Sequence, residues 1–292
     1  MSRESILDVL KRGEVVIADG AFGTMLQAQG LPPGTLPEVW NAEHPDAVLA
    51  VHNAYFAAGA QVMTANTLGG NRFRMVEAGL QDCLAELNRQ GIALARQAAG
   101  DQAWVAADIG PTGKLLEPYG DLSIADAETA YAEQIEIVAE AGADLILMET
   151  YIDIEEACCA IRAAKSHCRL PVFCSFAFNT KGRTMMGGRA ADAARRAEEA
   201  GADAVGANCG EGPQAILSAL TAMKDATTLP LIAQSNAGIP QLGEGSKTVW
   251  DVTSEQMAEY AHQFVALGAR LVGGCCGTNP QFIAAIVAAL KG

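Results

Sequence analysis

The chain has 292 residues, half of them apolar, which is enough for a sizeable core in one large domain or two small ones and excludes a disordered protein. Its net charge of −14 excludes nucleic acid as a partner, because phosphates demand a basic surface. No apolar run approaches the ~18 residues that span a bilayer, and the first thirteen residues are too charged for a secretory signal. The chain therefore reads as cytoplasmic, with no membrane partner. In that reducing compartment its eight cysteines are core filling, metal ligands or nucleophiles, not a disulfide framework.

In chain order, residues 2–12 read as a short helix plugging the base of the fold. Apolar runs follow at residues 15–18, 61–66, 103–109, 144–149, 172–178, 204–209 and 231–234, and an eighth leads into Cys275. Four of them are introduced by the same phrase: Ala58-Gly59-Ala60, Ala141-Gly142-Ala143, Ala200-Gly201-Ala202 and Leu267-Gly268-Ala269. Glycine just past a helix end takes the left-handed cap that turns the chain into a strand. Between the runs, Pro45, Pro213 and Pro280 mark first helical turns, and Ser123, Asp153 and Thr253 are good N-caps. Asp153 with Glu156 and Thr253 with Gln256 have capping-box spacing. Leu84, Leu87, Ile92 and Leu94 suggest one apolar helix face.

Eight strands alternating with eight helices predict a single-domain α/β fold over residues 1–292, a (β/α)8 TIM barrel. A doubly wound sheet is the competing architecture, but neither glycine-rich phosphate motif of such folds is present. The loops at residues 30–37 and 238–245 read as excursions on the active face.

Functional groups of such barrels gather where strands end. Here the ends read Asp19-Gly20, Asn66-Thr67, Asp108, Glu149-Thr150, Phe178-Asn179, Asn208-Cys209, Ser235-Asn236 and Cys275-Cys276. Cys209 closes the sixth strand and the cysteine pair closes the eighth, so three thiols converge across the mouth and suggest one metal, zinc first. Three protein ligands leave a fourth position open, which implies chemistry rather than a structural site. In a regular strand Cys275 and Cys276 would face opposite sides, so the strand must break there, and Gly273, Gly274 and Gly277 allow it. The competing reading is that these are ordinary buried cysteines, and that Asp19 and Glu149 are a glycosidase-like carboxylate pair.

Cys158 and Cys159 fall on a helix and face different directions, so core packing is expected of them, as of Cys83, Cys168 and Cys174. His44 and His52 lack metal-ligand spacing and suggest cap and surface roles. Met185-Met186 suggests loop packing or a contact with the donor.

The motifs Asp19-Gly20-Ala21-Phe22-Gly23-Thr24, Asn41-Ala42-Glu43-His44-Pro45, Gly110-Pro111-Thr112-Gly113, Met148-Glu149-Thr150, Asn208-Cys209-Gly210, Asn236-Ala237-Gly238 and Gly274-Cys275-Cys276-Gly277-Thr278 run through nearly the whole chain. Together they resemble the zinc-dependent homocysteine S-methyltransferases, most of all the homocysteine-binding module of cobalamin-dependent methionine synthase. The resemblance implies Zn2+ held by Cys209, Cys275 and Cys276, and methyl transfer to the thiol of L-homocysteine, giving methionine. Asp19 and Glu149 are expected to bind the substrate ammonium, and the backbone around Gly20 and Ala21 its carboxylate. Asn236 either fills the metal's open position before substrate arrives or hydrogen-bonds a neighbouring loop, while Asn66, Thr67 and Asp108 stand behind the contacting residues. The sequence stops at Gly292, and no folate, corrinoid or activation domain is expected after the barrel. The donor is therefore expected to be methylcobalamin carried by a separate corrinoid protein, or a small methylated ammonium or sulfonium compound. The alternative is a zinc barrel that acts on another thiol or only binds it.

Overall fold

The structure, a computed structural model, describes residues 4–242 and 248–292. Its strands are β1 (Val16–Ile17), β2 (Val62–Thr64), β3 (Trp104–Ile109), β4 (Leu145–Tyr151), β5 (Val172–Phe176), β6 (Ala204–Cys209), β7 (Leu231–Ser235), a hairpin β8–β9 (Gln241–Leu242, Thr248–Val249), and β10 (Ala269–Gly274). Eight of them form one parallel sheet in the order β1-β10-β7-β6-β5-β4-β3-β2. A parallel bridge between Ala18 and Val62 joins the two end strands, so the sheet closes into the expected barrel. Short βα units give this result because a strand feeding a crossover helix returns parallel beside its predecessor.

The two-residue period of a strand sorts the core into two layers. Leu145 and Leu147 of β4 point into the barrel with Val16, Ala18, Val62, Phe173, Ile232 and Leu271, while Ile146 and Met148 face the surrounding helices. The helix Ile6–Lys11 sends Ile6, Val9 and Leu10 into the same interior cluster and so plugs the base. Residues 2 and 3 of that segment lie outside the described residues.

The expected helix starts and N-caps hold, and one of the two capping boxes does not form. Pro45, Pro213 and Pro280 each open a helix, and Thr253 and Gln256 form a reciprocal capping box. Asp153 caps the N–H of Glu155 instead, because the Glu156 side chain is drawn into the core by Thr112 and Tyr131. In the helix Leu84–Ala99, Leu84, Leu87 and Ile92 are buried and Leu94 is partly so.

Two expectations are overturned. His52 is fully buried, not superficial: apolar residues surround its helix, Pro45–Ala57, and hide the inward face, where the imidazole meets the Phe22 ring at 4.6 Å. Burial pushes its pKa down to about 3. Met185 and Met186 do not pack into a loop. They project from a tight turn closed by Thr184 and Gly188, with 83% and 41% of their surface exposed.

Of the two mouth loops, residues 30–37 lead Leu36 and Pro37 to the central cavity. Residues 238–242 enter the β8–β9 hairpin, and residues 243–245 lie outside the described residues. No described helix is long and apolar enough to cross a membrane.

Candidate metal and substrate site

Period-two alternation would turn Cys209 away from the barrel, since its predecessor Asn208 points inward. A left-handed backbone at Cys209, with φ of 56°, reverses that and swings the thiol over the mouth. β10 ends at Gly274, so Cys275 and Cys276 lie in the turn beyond it, as the glycines suggest. The turn is pinned by Cys275 N–H to Ser235 O (2.7 Å), Ala237 N–H to Cys276 O (2.9 Å) and Thr278 N–H to Cys275 O (3.1 Å). Gly277 is required there: its φ is 79°, and a Cβ would sit 2.2 Å from the Trp250 ring.

The three sulfurs converge. All lie within 4.8 Å of one another, and Cys209 Sγ is 4.0 Å from Cys276 Sγ. A tetrahedral sulfur site with bonds of about 2.3 Å has sulfur–sulfur edges of about 3.8 Å, so the cluster fits a zinc-sized ion. Among the described residues no fourth His, Cys, Asp or Glu joins them. Hydrogen bonds from Cys275 and Cys276 hold the Cys209 thiol well below its ordinary range, and the same contacts push those two partners up. An ion taking all three as thiolates would displace the remaining protons.

The cysteines line a cavity of 510 Å³ together with Asp19, Gly20, Ala21, Glu38, Asp108 and Glu149. Burial raises Asp19 to about 7, against the pull of two bonds it accepts from Thr64, N–H at 2.8 Å and Oγ1–H at 2.6 Å. Glu149 is raised to about 8 by burial, then by Cys209 and Asp19. Asp108 is raised well above the usual carboxylate range, by burial and then by Glu149, Glu38 and Asp19. The Ala21 N–H donates to Thr278 Oγ1 at 3.1 Å, while that of Gly20 has no partner among the described residues. Asn66 holds Asn41 and the Pro37 carbonyl, and Thr67 holds the Asp108 backbone. Asn236 lies outside the cavity wall: its Nδ2 donates to Gly210 O at 2.9 Å, its side chain helps hold the Cys209 thiol down, and its buried Oδ1 has no partner.

Asn208 received no role from the sequence, yet it links the parts of the site. Its Oδ1 accepts from Thr150 N–H and Ser175 Oγ–H, both at 2.8 Å, and its Nδ2 donates to Thr150 Oγ1 at 2.7 Å and lies 3.9 Å from Cys275 Sγ. The clamp holds Thr150 at φ of 66°, a left-handed conformation that a β-branched residue resists. Glu149, its neighbour, thereby stays aimed at the cavity. The inward face of β6 was the available signal, because an amide there has only the barrel mouth to serve.

The eight-stranded barrel and its three-sulfur mouth define a thiol cluster that could hold one metal ion, with one side open to a cavity. A family profile for homocysteine S-methyltransferases matches residues 16–290. The chain belongs to the homocysteine S-methyltransferase family. It is 32% identical to a methionine synthase of Mycobacterium tuberculosis and 30% identical to one of Mycobacterium leprae, over 98% and 94% of its own length. It spans about a quarter of the length of those relatives. Among solved structures it resembles the metallated homocysteine methyltransferase MmuM of Escherichia coli, with 25% identity, a TM-score of 0.80, and coverage of 96% of this chain and 98% of that one.

Proposed function

We propose that this chain transfers a methyl group to the thiol of homocysteine, giving methionine, with zinc held by Cys209, Cys275 and Cys276. The observation that carries the reading is the convergence of three sulfurs from β6 and β10 on a cavity that also holds strand-end carboxylates. When bound, zinc would acidify the incoming thiol and fix its position, since the thiolate and not the thiol is the nucleophile.

The chain's own groups handle the rest of the substrate. Asp19 and Glu149 receive the ammonium, whose charge offsets the cost of ionising two buried acids. The Gly20 N–H takes the carboxylate, with the Ala21 backbone beside it tied to Thr278. Asn236 braces the loop after Cys209 through Gly210. The donor is a methylcorrinoid presented by a separate protein or a small methylated ammonium or sulfonium compound.

Purified protein, homocysteine and a donor panel test the reading. The expected result is one zinc per chain and methionine formation that stops on chelation. Activity surviving complete removal of metal would refute it.

A further inference from the structure

Two segments of the site meet behind the cavity wall, and one hydroxyl joins them. Residues 19–21, which follow β1, carry the Gly20 N–H that takes the substrate carboxylate in the proposed function. Residues 274–278 form the turn that carries Cys275 and Cys276. Thr278 is 1% exposed. Its Oγ1–H donates to Cys275 O at 2.8 Å, and the same oxygen accepts the Ala21 N–H at 3.1 Å. A single atom therefore bridges the metal turn and the substrate backbone.

The fit around that oxygen is close on both sides. A Cβ at Gly20 would sit 2.6 Å from Thr278 Oγ1, and one at Gly274 would sit 2.2 Å from it. Both positions must be glycine for the hydroxyl to reach across. Two more groups hold the segments at this separation. The Gly274 N–H donates to Asp19 O at 2.9 Å, and the buried Tyr55 hydroxyl donates to Ala21 O at 2.8 Å and lies 3.3 Å from Thr278 O. Neither Thr278 nor Tyr55 lines the cavity, so both act on the backbone and not on a ligand.

The acceptor of the proposed reaction is gripped at two ends, its sulfur at the three cysteines and its carboxylate at Gly20. The distance between those grips decides how many methylenes fit between them. We infer that Thr278 is the positioning residue that sets this span, and that it thereby selects homocysteine over cysteine, the thiol amino acid one methylene shorter. Tyr55 braces the same junction from the helix Pro45–Ala57. Valine at position 278 would keep the shape of threonine but leave the Ala21 N–H buried without a partner, a cost that drives residues 19–21 to shift. A shift of about 1 Å in a gripping group is enough to lose the match.

The inference rests on the homocysteine reading, and its test separates the two. Zinc-loaded wild type, Thr278→Val, Thr278→Ser and Tyr55→Phe are titrated by calorimetry with L-homocysteine, L-cysteine and 2-mercaptoethanol, a thiol without an amino-acid end that reads the metal position alone. Wild type is expected to favour homocysteine over cysteine by about tenfold or more. Thr278→Val should weaken homocysteine about tenfold and bring the two amino acids within about threefold of each other, while 2-mercaptoethanol stays within about twofold of wild type. Thr278→Ser keeps both bonds and should restore the preference, and Tyr55→Phe should narrow it by a smaller factor. If homocysteine binds but wild type takes both amino acids alike, if Thr278→Val keeps the preference, or if 2-mercaptoethanol weakens as much as homocysteine, the span-setting role is overturned and the acceptor reading stands. Should Thr278→Val fail to retain zinc, Tyr55→Phe decides, and an unchanged preference there overturns the role. If wild type does not bind homocysteine, the acceptor reading itself falls, and the role of Thr278 with it.

Discussion

The chain contains two Cys-Cys pairs, and the fold gives them opposite fates. Cys158 and Cys159 sit in the helix Ile154–His167, where successive side chains diverge by about 100°. Cys158 turns to the Arg196 carbonyl, its sulfur 3.6 Å from that oxygen, and Cys159 turns to the Arg162 guanidinium at 3.3 Å. Burial pushes both thiols up, Cys159 to about 12. Cys275 and Cys276 lie just past a strand, in a glycine-bounded turn, and share a cluster with a residue sixty-seven positions away. The same dipeptide is packing material in one place and a candidate ion clamp in the other, and the backbone alone decides which.

The largest break in that comparison is Cys275→Ala against Cys158→Ala. The first is expected to abolish zinc retention and reduce methionine formation by roughly a thousandfold or more, leaving an uncoordinated thiol as acceptor. The second should leave zinc content and turnover intact and lower stability by about 1 kcal/mol. Metal analysis and denaturant unfolding of both variants decide it, and equal zinc loss in both would erase the distinction.

Asn208→Ala should be intermediate. It removes the bonds that hold Thr150 in its left-handed conformation and the amide beside Cys275. Outer-shell groups of this kind are worth about 10–100-fold in metal affinity, so a competition assay with a coloured chelator should show a fall of that size. An unchanged affinity would reduce Asn208 to a purely local brace.

A smaller effect is expected from Asp19→Asn in protein free of homocysteine. Because burial raises the folded-state pKa of Asp19 to about 7, the folded protein holds a proton there that the unfolded chain releases near pH 4. Its contribution to stability is therefore favourable at low pH and declines as pH climbs through that window. Removing the titration should favour the variant progressively over wild type between about pH 4 and 7, by up to a few kcal/mol. Parallel stability curves across that range would contradict it.

These contrasts also explain what the sequence could reveal. The barrel was legible because helix-end glycines and short apolar runs repeat, and the metal cluster because barrels gather strand ends. The Asn208–Thr150 clamp was hidden, since no local pattern announces a positive φ at a threonine. His52 was misplaced because a helix apolar on several sides shows no clear face. Glu38 was missed because it lies in the short helix Pro37–Val39, between strands, and only tertiary folding brings it to the cavity with Asp108.

X-ray absorption at the zinc edge, recorded with and without homocysteine, probes the central idea most directly. Three sulfur neighbours and one lighter atom are predicted for the free protein, becoming four sulfurs when homocysteine is added. A metal that already has four protein ligands, or a sulfur count that homocysteine does not change, would contradict a thiol-accepting site.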